Sequence, residues 1–166
     1  MNVRAATNED IDDIMEIISQ AKSRMRLSGS EQWRGDYPAR ENIVADISAS
    51  AGYVMTDSDG TIAYMALSFD GEPAYASLDS PGESRPYATA HRLAVADRAL
   101  KRGVATAFMR SAERIAIERG VRLFRADTNF DNAYMLRIFE RLGFLYCGEV
   151  RYLSGSRRAY QKELEE

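Results

Sequence analysis

The run His91-Arg92-Leu93-Ala94-Val95-Ala96-Asp97-Arg98-Ala99-Leu100-Lys101-Arg102-Gly103-Val104-Ala105-Thr106-Ala107-Phe108 constrains the chain more than any other stretch. Ala90 to Val95 reads as a strand, a polar turn runs through Lys101-Arg102-Gly103, and an amphipathic helix starts almost at once. Val104, Phe108, Ala112 and Ile115 recur at helical spacing, Arg110, Glu113, Arg114 and Glu118 fall on other faces, and Gly120 offers a stop. Such a strand, loop and helix can hold an anion. The first N–H groups of a helix have no intrahelical partner and lie at the positive end of its dipole, and a glycine lets a ligand approach the backbone. Taken alone, the same residues also suit an ordinary turn before a helix.

At 166 residues the chain is expected to form one domain, residues 1–166, burying roughly two-thirds of its unfolded surface. Its 45% hydrophobic and 28% charged residues are those of a soluble globular protein. A net charge of -3 gives no reason to expect nucleic acid or an anionic membrane as a partner. One cysteine, Cys147, excludes an internal disulfide framework and a cysteine-based zinc site, and one histidine makes a histidine-rich metal site unexpected; no metal is predicted. A reducing, cytoplasmic setting fits best. Met1-Asn2-Val3-Arg4 leads into charged residues with no apolar leader, and no run of apolar residues is long enough to span a bilayer.

Asn2 to Ala6 reads as a first strand. Thr7-Asn8-Glu9-Asp10 has the form of a capping box, followed by Ile11, Ile14, Ile18, Ala21 and Met25 at helical spacing. Ser28-Gly29-Ser30 ends that helix, and an aromatic, polar connection from Glu31 to Tyr37 leads to Pro38, which is expected to open a second helix around Ile43 and Ile47. Tyr53 to Thr56 and Thr61 to Phe69 read as a hairpin turning at Asp57-Ser58-Asp59-Gly60. Asp70 to Pro86 is polar and irregular, with Gly71, Pro73, Pro81 and Gly82, and loops of this length are commonly functional or mobile. Val121 to Thr128 reads as a strand, Asp131 to Leu142 as a helix, Phe144 to Leu153 as a strand turning at Ser154-Gly155-Ser156, and Arg157 to about Leu164 as a last strand.

Leu93-Ala94-Val95, Arg102-Gly103-Val104-Ala105-Thr106, Asn132-Ala133 and Leu142-Gly143-Phe144 stand in an order and spacing that resemble the GNAT superfamily of N-acetyltransferases. Asp127-Thr128, Asp131-Asn132, Tyr146-Cys147-Gly148 and His91-Arg92 are similar to a subgroup of small bacterial members. The resemblance implies an α/β (α+β) domain whose central, mixed, mostly antiparallel sheet is flanked by helices on both faces. It further implies that acetyl-CoA is the cosubstrate and that the loop amides hold its pyrophosphate. The implied coenzyme-binding residues are Leu93, Ala94 and Val95 on a bulged strand, Lys101, Arg102, Gly103, Val104, Ala105 and Thr106 in the loop and first turn, and Asn132. In the loop pattern Gly103 and Ala105 fit, while Leu100 stands where the family has Gln or Arg.

Acetyl transfer to an amine needs the thioester held, its carbonyl polarised, a neutral amine aimed at it and a proton for the departing thiolate. The family commonly supplies that proton from a tyrosine four residues before the glycine of Leu142-Gly143-Phe144; here that position is Phe139. His91 is the candidate base: period two puts it on the face of Leu93 unless a bulge intervenes, and imidazole titrates in the useful range. The family often has a glutamate nearby, where this chain has Thr89. Trp33 is the candidate acceptor wall; Glu31, Asp36, Asp70, Glu72 and Asp79 receive no role. The function expected is transfer of an acetyl group to a primary amine of a small molecule or peptide by direct attack. A different acyl donor or acceptor, or a non-catalytic acyl-CoA sensor, stays open, and so does a homodimer.

Overall fold

The computed structural model describes residues 1–78 and 85–165. Its elements are β1 (Asn2–Ala5), α1 (Ile11–Leu27), α2 (Arg40–Ser48), β2 (Gly52–Asp57), β3 (Gly60–Ser68), β4 (Ala88–Val95), α3 (Val104–Glu118), β5 (Leu123–Thr128), α4 (Ala133–Arg141), β6 (Leu145–Tyr152) and β7 (Gly155–Glu163). Short 3-10 turns cover Asn8–Asp10, Pro73–Leu78 and Asp97–Ala99. The strands form a sheet in the order β1-β2-β3-β4-β5-β7-β6, mostly antiparallel, with β4 parallel to β5. Two compact units share the chain: residues 1–67 with 92–111, and residues 68–91 with 112–166.

In the first unit the capping box forms as expected. The Thr7 amide donates to Asp10 Oδ2 at 2.8 Å, and Arg4 clasps both oxygens of Asp10 at 2.8 Å. That hydrogen-bonded guanidinium holds the Asp10 carboxyl below its ordinary range. Ile11, Ile14, Ile18 and Ala21 of α1 are buried with Ile43 of α2, Val54 of β2 and Tyr64 of β3, and Trp33 packs against them. Pro38 does not open α2. The helix begins at Arg40 after Ala39, whose amide donates to Asn42 Oδ1 at 2.8 Å, so a side chain three residues in replaces the proline as start signal. The hairpin turns as read, with Asp59 N donating to Asp57 Oδ1 at 2.9 Å.

In the second unit the parallel ladder pairs Ala88, Thr89 and Ala90 with Phe124, Arg125 and Ala126. One side of the sheet carries a cluster of aromatic rings: Phe124, Phe139, Phe144 and Tyr160, with centroids 5.1 to 5.6 Å apart. Phe139 is buried there, which fits a packing residue. The segment expected to be irregular contains a turn of 3-10 helix, Pro73–Leu78, because Tyr75 buries its ring beside Val150, Ala159 and Tyr152. Asp79, Pro81 and Gly82 lie outside the described residues. α4 starts at Ala133 with Asn132 as its cap, two residues later than read.

β6 is interrupted where its register to β7 shifts between Tyr146 and Gly148. Gly148 has φ 132°, and a Cβ there would stand 2.9 Å from Leu78 Cδ2. Left-handed strain and the displaced leucine act together in Gly148→Ala, which is expected to lose about 1 to 3 kcal/mol in urea unfolding.

Candidate functional site

β4 carries the feature on which the resemblance turns. Arg92 has φ 54° in the middle of the strand, a conformation that a long side chain adopts only when its surroundings insist. Such a residue between His91 and Leu93 is the condition under which period-two alternation need not hold. What insists is a carboxylate. Arg92 Nε and Nη2 donate to Asp46 Oδ2 and Oδ1 at 2.9 and 2.5 Å, Tyr64 donates to the same Asp46 Oδ2 at 2.6 Å, and Arg92 Nη1 donates to the Tyr37 hydroxyl at 2.9 Å. Burial is the largest single influence and works against the Arg92 charge, but the hydrogen bonds and charge interactions with Asp46 and Tyr37 together outweigh it and the guanidinium stays protonated. Burial, reinforced by Asp46, raises the Tyr64 hydroxyl, which stays a neutral donor.

Beyond the bulge, Ala94, Val95 and Ala96 are buried and Leu93 is half-buried. α1 holds the end of this strand with two residues one turn apart. Gln20 Oε1 accepts from Asp97 N at 2.8 Å, and Arg24 donates to the Val95 carbonyl at 2.8 Å while pairing with Asp97. The chain next turns through Lys101 at φ 61° and Gly103 at φ 70° into α3, whose first intrahelical bond runs from Ala107 N to Gly103 O at 3.0 Å. The amides of Val104, Ala105 and Thr106 precede that bond and so lack a partner within the helix. Val104 and Ala105 bury their side chains, Thr106 is half-buried, and a Cβ on Gly103 would meet nothing within 4 Å. α1 and α2 place Asp12, Asp13 and Glu41 in their first turns; α3 has no acid there and follows Lys101 and Arg102. Asp57 anchors the loop from β2, accepting from Arg98 at 3.0 Å and Arg102 at 3.4 Å, and the Arg98 bond holds its carboxyl down at about 2.

In the second unit His91 is partly buried, its Nε2 4.0 Å from Glu72 Oε2. Asn132 spends its Oδ1 on Met135 N at 3.2 Å, as a helix cap. Tyr134 and Tyr146 are exposed, and Trp33 in the first unit is half-buried with φ 59°. Sequence reasoning missed Asp46, Arg92, Gln20, Arg24 and Glu72, since ionic side chains on amphipathic elements read as wet. The one available signal was Asp46, an acid on the buried stripe of α2 beside Ile43.

A family model described as the acetyltransferase (GNAT) family matches residues 12–144. The chain belongs to that family. A GNAT-family acetyltransferase of Streptococcus agalactiae is 30% identical with a TM-score of 0.89, covering 99% of this chain and 96% of that one. One from Listeria monocytogenes is 21% identical, TM-score 0.79, covering 98% and 94%. An acetyltransferase of Salmonella typhimurium solved with its cofactor acetyl-CoA is 15% identical, TM-score 0.70, covering 100% and 95%. No curated protein matches in sequence. As a GNAT protein the chain is an acetyl-CoA-dependent N-acetyltransferase, a transferase with the fold its neighbours share. Open space before Gly103 and a helix start without acids are the features a pyrophosphate requires there, so the loop fits the coenzyme. Among the described residues no group of His, Cys, Asp or Glu is arranged to hold a metal ion, and no helix is long and apolar enough to cross a membrane.

Two outcomes test these contacts. Asp46→Ala leaves the Arg92 guanidinium buried without its carboxylate and is expected to cost about 3 to 5 kcal/mol in urea unfolding. Asp57 has a folded pKa of about 2, below the roughly 3.9 of an unfolded aspartate, so its contribution is present above pH about 4 and is lost as pH falls through about 2. Asp57→Asn is expected to flatten the stability profile in that window.

Proposed function

We propose that this protein moves an acetyl group from acetyl-CoA to a primary amine of a small molecule or peptide, by direct attack of the amine on the thioester carbon, as one cytoplasmic domain spanning residues 1–166. The observation that carries the reading is the start of α3, where unpaired amides follow Lys101, Arg102 and an open-faced Gly103. Val104, Ala105 and Thr106 donate to the pyrophosphate, with Lys101 and Arg102 adding charge. Leu93, Ala94 and Val95 present backbone groups to the pantetheine arm and thioester carbonyl, and Arg92 fixes where they stand. Asn132, whose Oδ1 caps α4 by accepting from Met135 N, lies where the family's asparagine meets the coenzyme arm. The coenzyme supplies an acyl group activated as a thioester.

His91 takes the proton from the incoming ammonium, so that a neutral amine attacks; the C–N bond forms and the C–S bond breaks. Phe139 is buried among aromatic rings and carries no proton, so solvent protonates the leaving thiolate. Trp33 and Tyr37 wall the acceptor side. Cys147 sits at the β6 irregularity and takes no covalent part.

Thiol release from acetyl-CoA with a panel of amines tests the reading. Turnover that falls about 10²- to 10⁴-fold in His91→Gln and is abolished in Gly103→Glu is expected. Acetyl-CoA binding without turnover over the whole panel would instead favour a sensor, which the loss of the tyrosine at Phe139 also suits.

A further inference from the structure

Tyr87, Thr89 and His91 alternate along β4, and Thr89 stands directly across from Arg125 in the parallel register, two residues before Asp127. These side chains share one face of the second unit's sheet. The Arg125 guanidinium lies 4.6 Å from the Tyr87 ring centroid, and the Tyr87 hydroxyl accepts from Glu72 N at 2.8 Å. The Thr89 hydroxyl is different: the residue is 1% exposed, and among the described residues its Oγ1 has no hydrogen-bond partner. A buried hydroxyl without a partner costs about 1 to 3 kcal/mol, which a ligand able to bond it would recover.

Two residues further along the strand, His91 meets Glu72. Their 4.0 Å separation between Oε2 and Nε2 is too wide for a direct hydrogen bond. It is close to the spacing of two acceptors that share one ammonium nitrogen, about 4 to 5 Å for N–H contacts of about 2.9 Å. Glu72 is fixed for this duty: its Oε1 accepts from Ala74 N at 3.2 Å, its carbonyl from Tyr75 N at 2.9 Å. The other groups on this face are Asp127, which accepts the hydroxyls of Tyr75 at 2.5 Å and Tyr152 at 2.8 Å, with Cys147 alongside. Burial, then the charge of Asp127, raises both tyrosines, so they stay neutral donors. The charged groups here are thus the carboxylates of Glu72 and Asp127 and the Arg125 guanidinium, which Tyr87 and, at 3.4 Å, Gln161 engage.

The geometry points to a recognition site for the acceptor's ammonium, built from Glu72, Thr89 and His91, which selects a cationic alkylamine over an amine flanked by a carboxylate. An alkylammonium has three N–H groups, one each for Glu72 Oε2, His91 Nε2 and the unbonded Thr89 Oγ1. A neighbouring acceptor carboxylate would meet Glu72 and Asp127 and be repelled. The assignment rests on the proposed transfer to an amine, and it gives Glu72 a positioning role ahead of proton transfer to His91.

His91 is the chain's one histidine, so its imidazole proton resonances report the site without assignment. Butylammonium chloride is titrated into the full chain, with and without CoA, against tetramethylammonium chloride and glycine at equal ionic strength. A saturable shift with butylammonium alone is expected, with affinity falling at least tenfold in Glu72→Gln and in Thr89→Val. Thr89→Val should keep or raise the melting temperature, since it removes an unbonded hydroxyl. No saturable shift under either condition, an equal response to tetramethylammonium or glycine, or variants that bind like the wild type would overturn the site. Because the readout needs no acetyl transfer, a failure here is separate from a failure of turnover.

Discussion

The bidentate contact between Arg92 and Asp46 is the constraint on which the first unit depends. A strand residue with φ 54° costs energy, and a buried guanidinium costs more, so neither persists unless the surroundings supply a carboxylate. Asp46 is available because α2 begins where Asn42 caps Ala39, which sets the helix phase that turns Asp46 inward beside Ile43. Tyr64 adds a third donor to that carboxylate, and Tyr37 receives the remaining arm of Arg92. The left-handed turn of the strand at Arg92 is thus held by hydrogen bonds from α2, β3 and the α1-α2 connection of one unit. Leu93, Ala94 and Val95 follow directly after Arg92, and Gln20 and Arg24 secure the strand end just beyond.

The loop after the strand relies on a different principle. α3 starts without an acidic residue and after two bases, and Asp57 ties Arg98 and Arg102 back to the β2-β3 hairpin. The positive end of the helix dipole is left without an acidic neighbour in its first turn, while local charge is partly balanced within the unit. In the second unit, chemistry and packing separate by face: Phe139 joins Phe144 and Tyr160 on one, while Glu72, Thr89, His91 and Asp127 gather on the other.

Much of this was legible in the residues. Periodicity located α1 and α3, the capping box located the start of α1, and Asp57-Ser58-Asp59-Gly60 located the hairpin, because each signal is local. The strand order, with β7 between β5 and β6, depends on long-range pairing that no local pattern encodes. Pro38 misled because a proline suits a helix start in general, whereas here the helix starts two residues later, at Arg40, with Asn42 bonding back to Ala39 N. The Lys101-Arg102-Gly103 loop and the helix after it were readable as a motif. The polar groups around it, Arg92, Asp46, Gln20 and Arg24, were not, since a polar or charged side chain on an amphipathic element looks solvated until its partner is known. Glu72 was passed over for the same reason.

Thermal unfolding with and without acetyl-CoA tests the central claim, that the start of α3 holds the coenzyme. Ligand at 100 times its dissociation constant contributes about 2.7 kcal/mol, a rise of several degrees in a domain of this size. A rise with acetyl-CoA and with CoA, and none with ATP, is expected. An unchanged midpoint with all three, in a protein that unfolds cooperatively, would contradict the claim and leave the loop a structural turn.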